Sequence, residues 1–250
     1  MGKRTGVEDR LTFQVDAAAD LEGPRRTSAV AYHTAGRSPA IATLVLAHGA
    51  GAGQQSPFMT GFARALSERG IDVLTFDFLY TEQRRRVPDR TEKLEACYRA
   101  AIAAAREHFG RESVFIGGKS MGGRIATHLA AAAAESRVDR IPNPDSRLPI
   151  RGVVLLGYPL HPPGKPEQLR AAHLPKIRVP MLFVQGERDP FGTPDELRPV
   201  LDSLSANVTL HVVEHGDHSL APSRRAESIA STYSELQDLI AAWVRSKKKG

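Results

Sequence analysis

Cysteine is almost missing from this chain: Cys97 is the only one in 250 residues. No internal disulfide can form, and such sparse usage fits a reducing compartment. Long apolar runs are missing as well. The runs at residues 44–47 and 153–156 fall far short of the roughly 18 to 20 residues that cross a bilayer, so no membrane partner is expected. The first six residues carry Lys3 and Arg4 with no apolar stretch behind them, and residue 6 is Gly where a myristoylation signal wants Ser or Thr. The expectation is a cytoplasmic protein.

A positive excess is also missing from the body of the chain, despite a net charge of +6. Five of those charges are Lys3, Arg4, Lys247, Lys248 and Lys249. A basic tail holds phosphates only weakly and in a salt-dependent way, and no groove-reading motif accompanies it, so no nucleic-acid partner is expected. With 41% hydrophobic and 25% charged residues over 250 positions, there is enough apolar side chain for one sizeable core. The expected division is a disordered tail over residues 1–10, a single domain over 11–246, and a basic tail over 247–250. Nothing in the sequence fixes the oligomeric state.

What is present is an alternation of strand and helix. Strand-like runs are expected at 11–15 and 28–32, joined through Gly23 and Pro24 and paired antiparallel. Residues 43–47 are apolar throughout, apart from Thr43, as suits a strand covered on both faces. After a glycine loop, Phe58, Phe62 and Leu66 recur at helical spacing until Gly70 stops the helix. A strand at 71–77 follows, then a loop with Arg84, Arg85, Arg86 and Pro88, and a helix from about Thr91 to His108. On that helix Cys97 shares an apolar face with Leu94, Tyr98, Ala101 and Ile102, so it is read as packing. Further strands are expected at 114–117, 152–156, 180–185 and 208–213, with a surface loop through Pro142 and Pro144. Thr193 as cap with Pro194 at the first helical position starts another helix, and Ala226, Ile229, Tyr233, Leu236, Ile240 and Trp243 form one stripe of the last. The pattern predicts a mainly parallel sheet of about eight strands with helices on both faces.

The most informative stretch is Val114-Phe115-Ile116-Gly117-Gly118-Lys119-Ser120-Met121-Gly122-Gly123-Arg124. Gly118, Ser120 and Gly122 make G-x-S-x-G between an apolar strand and a helix, the setting of a nucleophile elbow. A serine hydroxyl is a poor nucleophile until it is held clear of its backbone beside a base.

Such a serine needs a histidine to take its proton and a carboxylate to hold that histidine, in the chain order Ser, Asp or Glu, His. His128 lies two turns down the helix from Ser120, His161 and His173 precede the acid candidates, and His211 falls within a strand. His218, in Gly216-Asp217-His218-Ser219 past the last strand, is the expected base, with His215 in reserve. Among the acids, Asp189 sits in the loop after the preceding strand and is fixed by Pro190. Glu187 is nearer the strand and beside Arg188, and Asp217 is too close to His218 to bend back to its ring. Asp189 is therefore expected to hold the imidazole tautomer.

An oxyanion hole needs two backbone donors. The N–H of Met121 is one candidate, and Ala50 or Gly51 in His48-Gly49-Ala50-Gly51-Ala52-Gly53 supplies the other. That loop lacks the Lys and Ser/Thr of a phosphate-binding loop, and His48 is read as structural. No Cys/His spacing matches zinc, so no metal and no cofactor are expected. Tyr80, Tyr158, His161 and Phe191 are candidate pocket residues. Arg124, four residues past Ser120, is a candidate to pair with a substrate carboxylate, the alternative being that it reaches sideways to an acidic side chain or to water.

The runs LAHGAGAG, FDFLY with the arginine-rich loop after it, IGGKSMGGRIA, LLGYPLHPPGKPEQLR and VQGERDPFG together resemble a family of small α/β-hydrolase-fold proteins related to dienelactone hydrolases. The resemblance spans roughly residues 40 to 245. It implies an α/β-hydrolase fold and a Ser-His-Asp triad more firmly than a substrate, because dienelactone hydrolase uses a cysteine where this chain has Ser120. Animal relatives of that family include a subunit of a histone-acetyltransferase complex, which raises a catalytically silent scaffold as the competing expectation. The leading expectation is a serine hydrolase of a small carboxylic ester or related acyl compound. The stretch between the strands at 152–156 and 180–185 has room for a loop or one short helix, not a lid domain.

Overall fold

The computed structural model describes residues 7–15, 25–34, 39–138, 148–222 and 224–247. Of the tails expected over 1–10 and 247–250, residues 1–6 and 248–250 lie outside the described residues, as do the link at Gly23 and Pro24 and the loop through Pro142 and Pro144, whereas residues 8–10 stand in a strand.

Eight strands form one sheet: β1 (Glu8–Val15), β2 (Arg25–Tyr32), β3 (Ala42–Ala47), β4 (Ile71–Phe76), β5 (Val114–Lys119), β6 (Ile150–Leu156), β7 (Met181–Gly186) and β8 (Val208–Val213). Their spatial order is β1-β2-β4-β3-β5-β6-β7-β8. The first hairpin and the β2–β4 junction are antiparallel; every other pair is parallel. Strands β3 to β7 are almost wholly buried, as their largely apolar sequences require when helices cover both faces. The first two strands start earlier than the expected Leu11 and Ser28. Their added residues alternate or are polar, and cross-strand pairing from Glu8↔Tyr32 to Val15↔Arg25 extends the ladder beyond the apolar segment.

The helices are α1 (Pro57–Glu68), α2 (Leu79–Glu82), α3 (Thr91–Phe109), α4 (Met121–Val138), α5 (Pro194–Asp202) and α6 (Ala226–Ser246). One face of the sheet packs against α1 and α6, with Phe62, Leu66, Ile240 and Trp243 among the side chains that meet it. The other packs against α3, α4 and α5 through residues such as Leu94, Ile102, Ile125 and Leu197. Thr193 and Glu196 cap α5 reciprocally. Cys97 is fully buried, and burial pushes its thiol well above the ordinary range, which keeps it inert.

Tyr98 of α3 enters the sheet beneath the elbow. Its hydroxyl accepts the N–H of Gly117 at 2.8 Å and lies 2.9 Å from the Val45 carbonyl and 2.5 Å from that of Gly117. It thus supplies partners to β5 and β3 where the fully buried backbone has no water to turn to. Among the described residues, no helix is long and apolar enough to cross a membrane. The β6–β7 connection holds only a short 3₁₀ turn at Leu174–Lys176, and among the described residues no lid domain covers the sheet's carboxyl edge.

Candidate active site

Strand β5 lies inside the sheet, and its carboxyl end turns directly into α4 through Ser120. That serine has φ 50°, a left-handed conformation that costs a non-glycine residue roughly 1 kcal/mol or more. The turn is held by Ser120 N–H to the Leu156 carbonyl and Arg124 N–H to the Ser120 carbonyl, both 3.0 Å. Its tightness explains the glycines on either side. A Cβ at Gly118 or Gly122 would meet the Ala47 carbonyl oxygen at 2.5 Å, so β3 can approach the elbow only if both positions lack a side chain.

The loops after β7 and β8 converge on this serine. Ser120 Oγ lies 2.9 Å from His218 Nε2, and His218 Nδ1 lies 2.9 and 2.8 Å from the two carboxylate oxygens of Asp189. Asp189 is fully buried. It also accepts the Phe191 N–H at 2.9 Å and a Gln185 side-chain N–H at 2.9 Å. Without such donors a buried carboxylate would carry a steep desolvation cost. Phe191 lies over the imidazole at 4.2 Å between ring centroids and limits how far it can swing. His215 sits elsewhere, 71% exposed and paired with Glu187 at 3.2 Å. The structure therefore groups Ser120, His218 and Asp189, and sets His215, the reserve base, apart from them with Glu187.

Two residues with no assigned role in the sequence support this group. Gln185, fully buried at the end of β7, accepts the Tyr158 N–H at 2.8 Å and donates to the Gly192 carbonyl at 2.7 Å as well as to Asp189. A glutamine closing the apolar run Met181-Leu182-Phe183-Val184 was the signal. Lys119, adjacent to Ser120, donates to the His218 carbonyl at 2.6 Å. Burial pushes its amine down to about 8, against the pull of Asp189 and Asp217.

Met121 opens α4, so its N–H belongs to the set that a helix leaves without an intrahelical acceptor. Ala50 and Gly51 border the same space from the loop after β3. That loop is anchored from behind by Tyr80, whose hydroxyl donates to the Ala50 carbonyl at 3.1 Å, and by His48. The buried His48 ring donates from Nδ1 to the Gly49 carbonyl at 2.7 Å and accepts the Phe78 N–H at Nε2, 3.2 Å away. Burial lowers its pKa, so it is a neutral strut.

The cavity in front of Ser120 has a volume of about 780 Å³, within the range of small-molecule sites. Phe58, Leu94, Pro159 and Tyr233 give it apolar walls, and Arg124, Arg170 and Phe191 also border it. Arg124 reaches His128 at 3.4 Å and retains its charge although burial lowers its pKa. Asp89, the acid on the rim, is paired with Arg85 at 2.6 Å, leaving the wall predominantly cationic. Three expected pocket residues do not line this space. Tyr80 stands behind the glycine loop as described. Tyr158 is buried, with its hydroxyl donating to the Arg170 carbonyl at 2.6 Å, because the preceding Gly157, at φ 67°, turns the chain inward. His161 is 4% exposed and engages the Pro162 carbonyl at 2.8 Å and Glu196 at 3.4 Å.

Residues 40–245 of this chain match a known family model, the alpha/beta hydrolase domain. The chain belongs to that alpha/beta hydrolase family. Among solved structures it is similar to an alpha-beta serine hydrolase homologue from Coxiella burnetii, with 16% identity and a TM-score of 0.67, covering 93% of this chain and 96% of that one. It is also similar to dienelactone hydrolase from Anabaena variabilis, at 19% identity and TM-score 0.66 over 96% and 97% of the two chains. An α/β serine hydrolase without lid from Xanthomonas campestris aligns at 18% identity and TM-score 0.68 over 96% and 94%. At these identities the likeness is one of fold, and it extends to the want of a lid.

Proposed function

We propose that this α/β hydrolase is a serine esterase with Ser120 as nucleophile, His218 as base and Asp189 as the carboxylate that orients it. One observation carries the reading: a serine held at φ 50° with its Oγ 2.9 Å from an imidazole nitrogen whose other nitrogen faces a buried carboxylate. Ser120 Oγ attacks the ester carbonyl carbon as its proton passes to His218 Nε2. The resulting oxyanion accepts from the N–H of Met121 and from that of Ala50 or Gly51. His218 then returns the proton to the departing alkoxide, leaving an acyl group on Ser120. A water, deprotonated by the same nitrogen, attacks that acyl-enzyme, and collapse of the second oxyanion expels Ser120 and releases the acid. The likeness of its fold to an alpha-beta serine hydrolase homologue supports this reading.

The cationic wall suits an acyl compound that bears a carboxylate, with Arg124 reading the charge through its planar fork. Phe191 packs on the base at the rim, where it also meets substrate. A fluorophosphonate probe should label Ser120 in the wild-type protein and leave Ser120→Ala unlabelled, while p-nitrophenyl esters of short acids are turned over. A wild-type chain that takes no probe would indicate a silent scaffold and overturn the proposal.

A further inference from the structure

The spacing of histidines along the chain points to no metal, yet the fold gathers three ligand-type side chains far from Ser120. Asp9 comes from β1, His33 follows the end of β2, and His108 lies in the last turn of α3. His33 Nε2 is 2.8 Å from Asp9 Oδ2, His108 Nε2 is 3.4 Å from the same oxygen, and the two Nε2 atoms are 3.1 Å apart. Three electron-pair donors thus form a triangle around one point. Hydrogen bonds use this triangle less well, because two Nε2–H groups aimed at one carboxylate oxygen would crowd each other at 3.1 Å between nitrogens. A tetrahedral zinc ion uses it well: ligands about 2.05 Å from the metal stand about 3.3 Å apart.

The support for these side chains is rigid. The ring of Phe109 lies against both imidazoles, at centroid distances of 5.2 and 5.0 Å. The backbone N–H of His33 donates to the Val7 carbonyl at 2.9 Å, and Thr34 N–H donates to Asp72 Oδ1 at 2.9 Å. The three side chains are only 44%, 32% and 23% exposed for Asp9, His33 and His108, so one side of the triangle opens to water.

We propose that Asp9, His33 and His108 bind a zinc ion, with water completing its coordination. Two neutral imidazoles and a carboxylate are a donor set that zinc accepts and that magnesium or calcium does not favour. The ion would clip the β1–β2 hairpin to the end of α3, at the amino edge of the parallel strands, opposite the edge that carries Ser120. Its role would be structural, adding a cross-link to the outer hairpin of a chain that has no disulfide to do so.

The test is calorimetric titration of zinc chloride into the full chain after chelator treatment and removal of the chelator, with thermal unfolding alongside. The expected result is one equivalent bound at micromolar Kd or tighter, and a Tm rise of about 5 °C or more at a hundredfold excess over Kd. His33→Ala and His108→Gln should each weaken binding at least tenfold, while His218→Ala and His215→Ala should leave it unchanged. Asp9→Asn, at a half-exposed position, provides the same reading if a histidine variant fails to fold. No heat and no Tm shift in the wild type would overturn the proposal. Binding that survives the Asp9, His33 and His108 variants, or disappears with His218, would overturn it equally.

Discussion

Lys119 and His218 are joined across the site, the amine donating to the histidine's backbone carbonyl at 2.6 Å although the two are 99 positions apart in sequence. The bond fixes the loop that carries the imidazole without touching the ring. Lys119→Met should therefore lower kcat for a neutral ester by about 10- to 100-fold with little change in KM, since a base misplaced by a fraction of an ångström loses rate before it loses binding. Steady-state kinetics of the variant check this, and a loss confined to KM would contradict it.

The same lysine sets a pH dependence of stability. Its folded-state pKa is pushed down to about 8 from an ordinary value of 10.5. Between those values the unfolded chain holds a proton that the folded one does not, so stability rises with pH across that window. Below about pH 8 both states are protonated and the gain is absent. Urea unfolding should show Lys119→Met losing this increment, up to about 3 kcal/mol, after the wild-type curve is compared at each pH.

Asp189→Asn should fold normally yet lose about 10⁴-fold in kcat, because an amide no longer enforces the imidazole tautomer. Kinetics on a p-nitrophenyl ester, with circular dichroism as the control for fold, measure it. Full activity would remove Asp189 from the mechanism.

Charge recognition is tested by substrate pairs. Arg124→Ala should reduce kcat/KM for a carboxylate-bearing ester by about 10- to 100-fold while changing a neutral analogue much less, the difference being the worth of one charge-assisted pair. Arg170→Ala, on the same wall, should act in the same direction. Equal losses on both esters would exclude charge reading by these residues.

The Tyr98 hydroxyl beneath the elbow carries a stability prediction. Tyr98→Phe leaves the buried Gly117 N–H without its 2.8 Å acceptor, at a cost of about 1 to 3 kcal/mol. Chemical denaturation should register the loss as a lower midpoint at unchanged slope.

The central strands and the elbow were legible because their signals are local. An apolar run covered on both faces needs no partner to be recognised, and Gly118, Ser120 and Gly122 announce their turn in five residues. Grouping Ser120, Asp189 and His218 was legible by a different route, from chain order and the rule that loops at one sheet edge meet. What failed to read was direction and distance. Tyr158 follows a strand that ends at the site, but only the positive φ of Gly157 reveals that its side chain goes inward. The outer hairpin was under-read because its end residues pair through backbone and carry no apolar signature. Asp9, His33 and His108 escaped spacing motifs altogether, since three separate elements bring them together.

The sheet order has a consequence for the newly made chain. Synthesis delivers Ser120 on an inner strand early, while Asp189 follows β7 and His218 follows β8, the last strand at the far edge. Throughout that interval the serine has neither its proton acceptor nor the loop that holds it. On the proposed mechanism, a nascent chain would be chemically quiet on the ribosome, and hydrolysis would begin only once the final strand had docked.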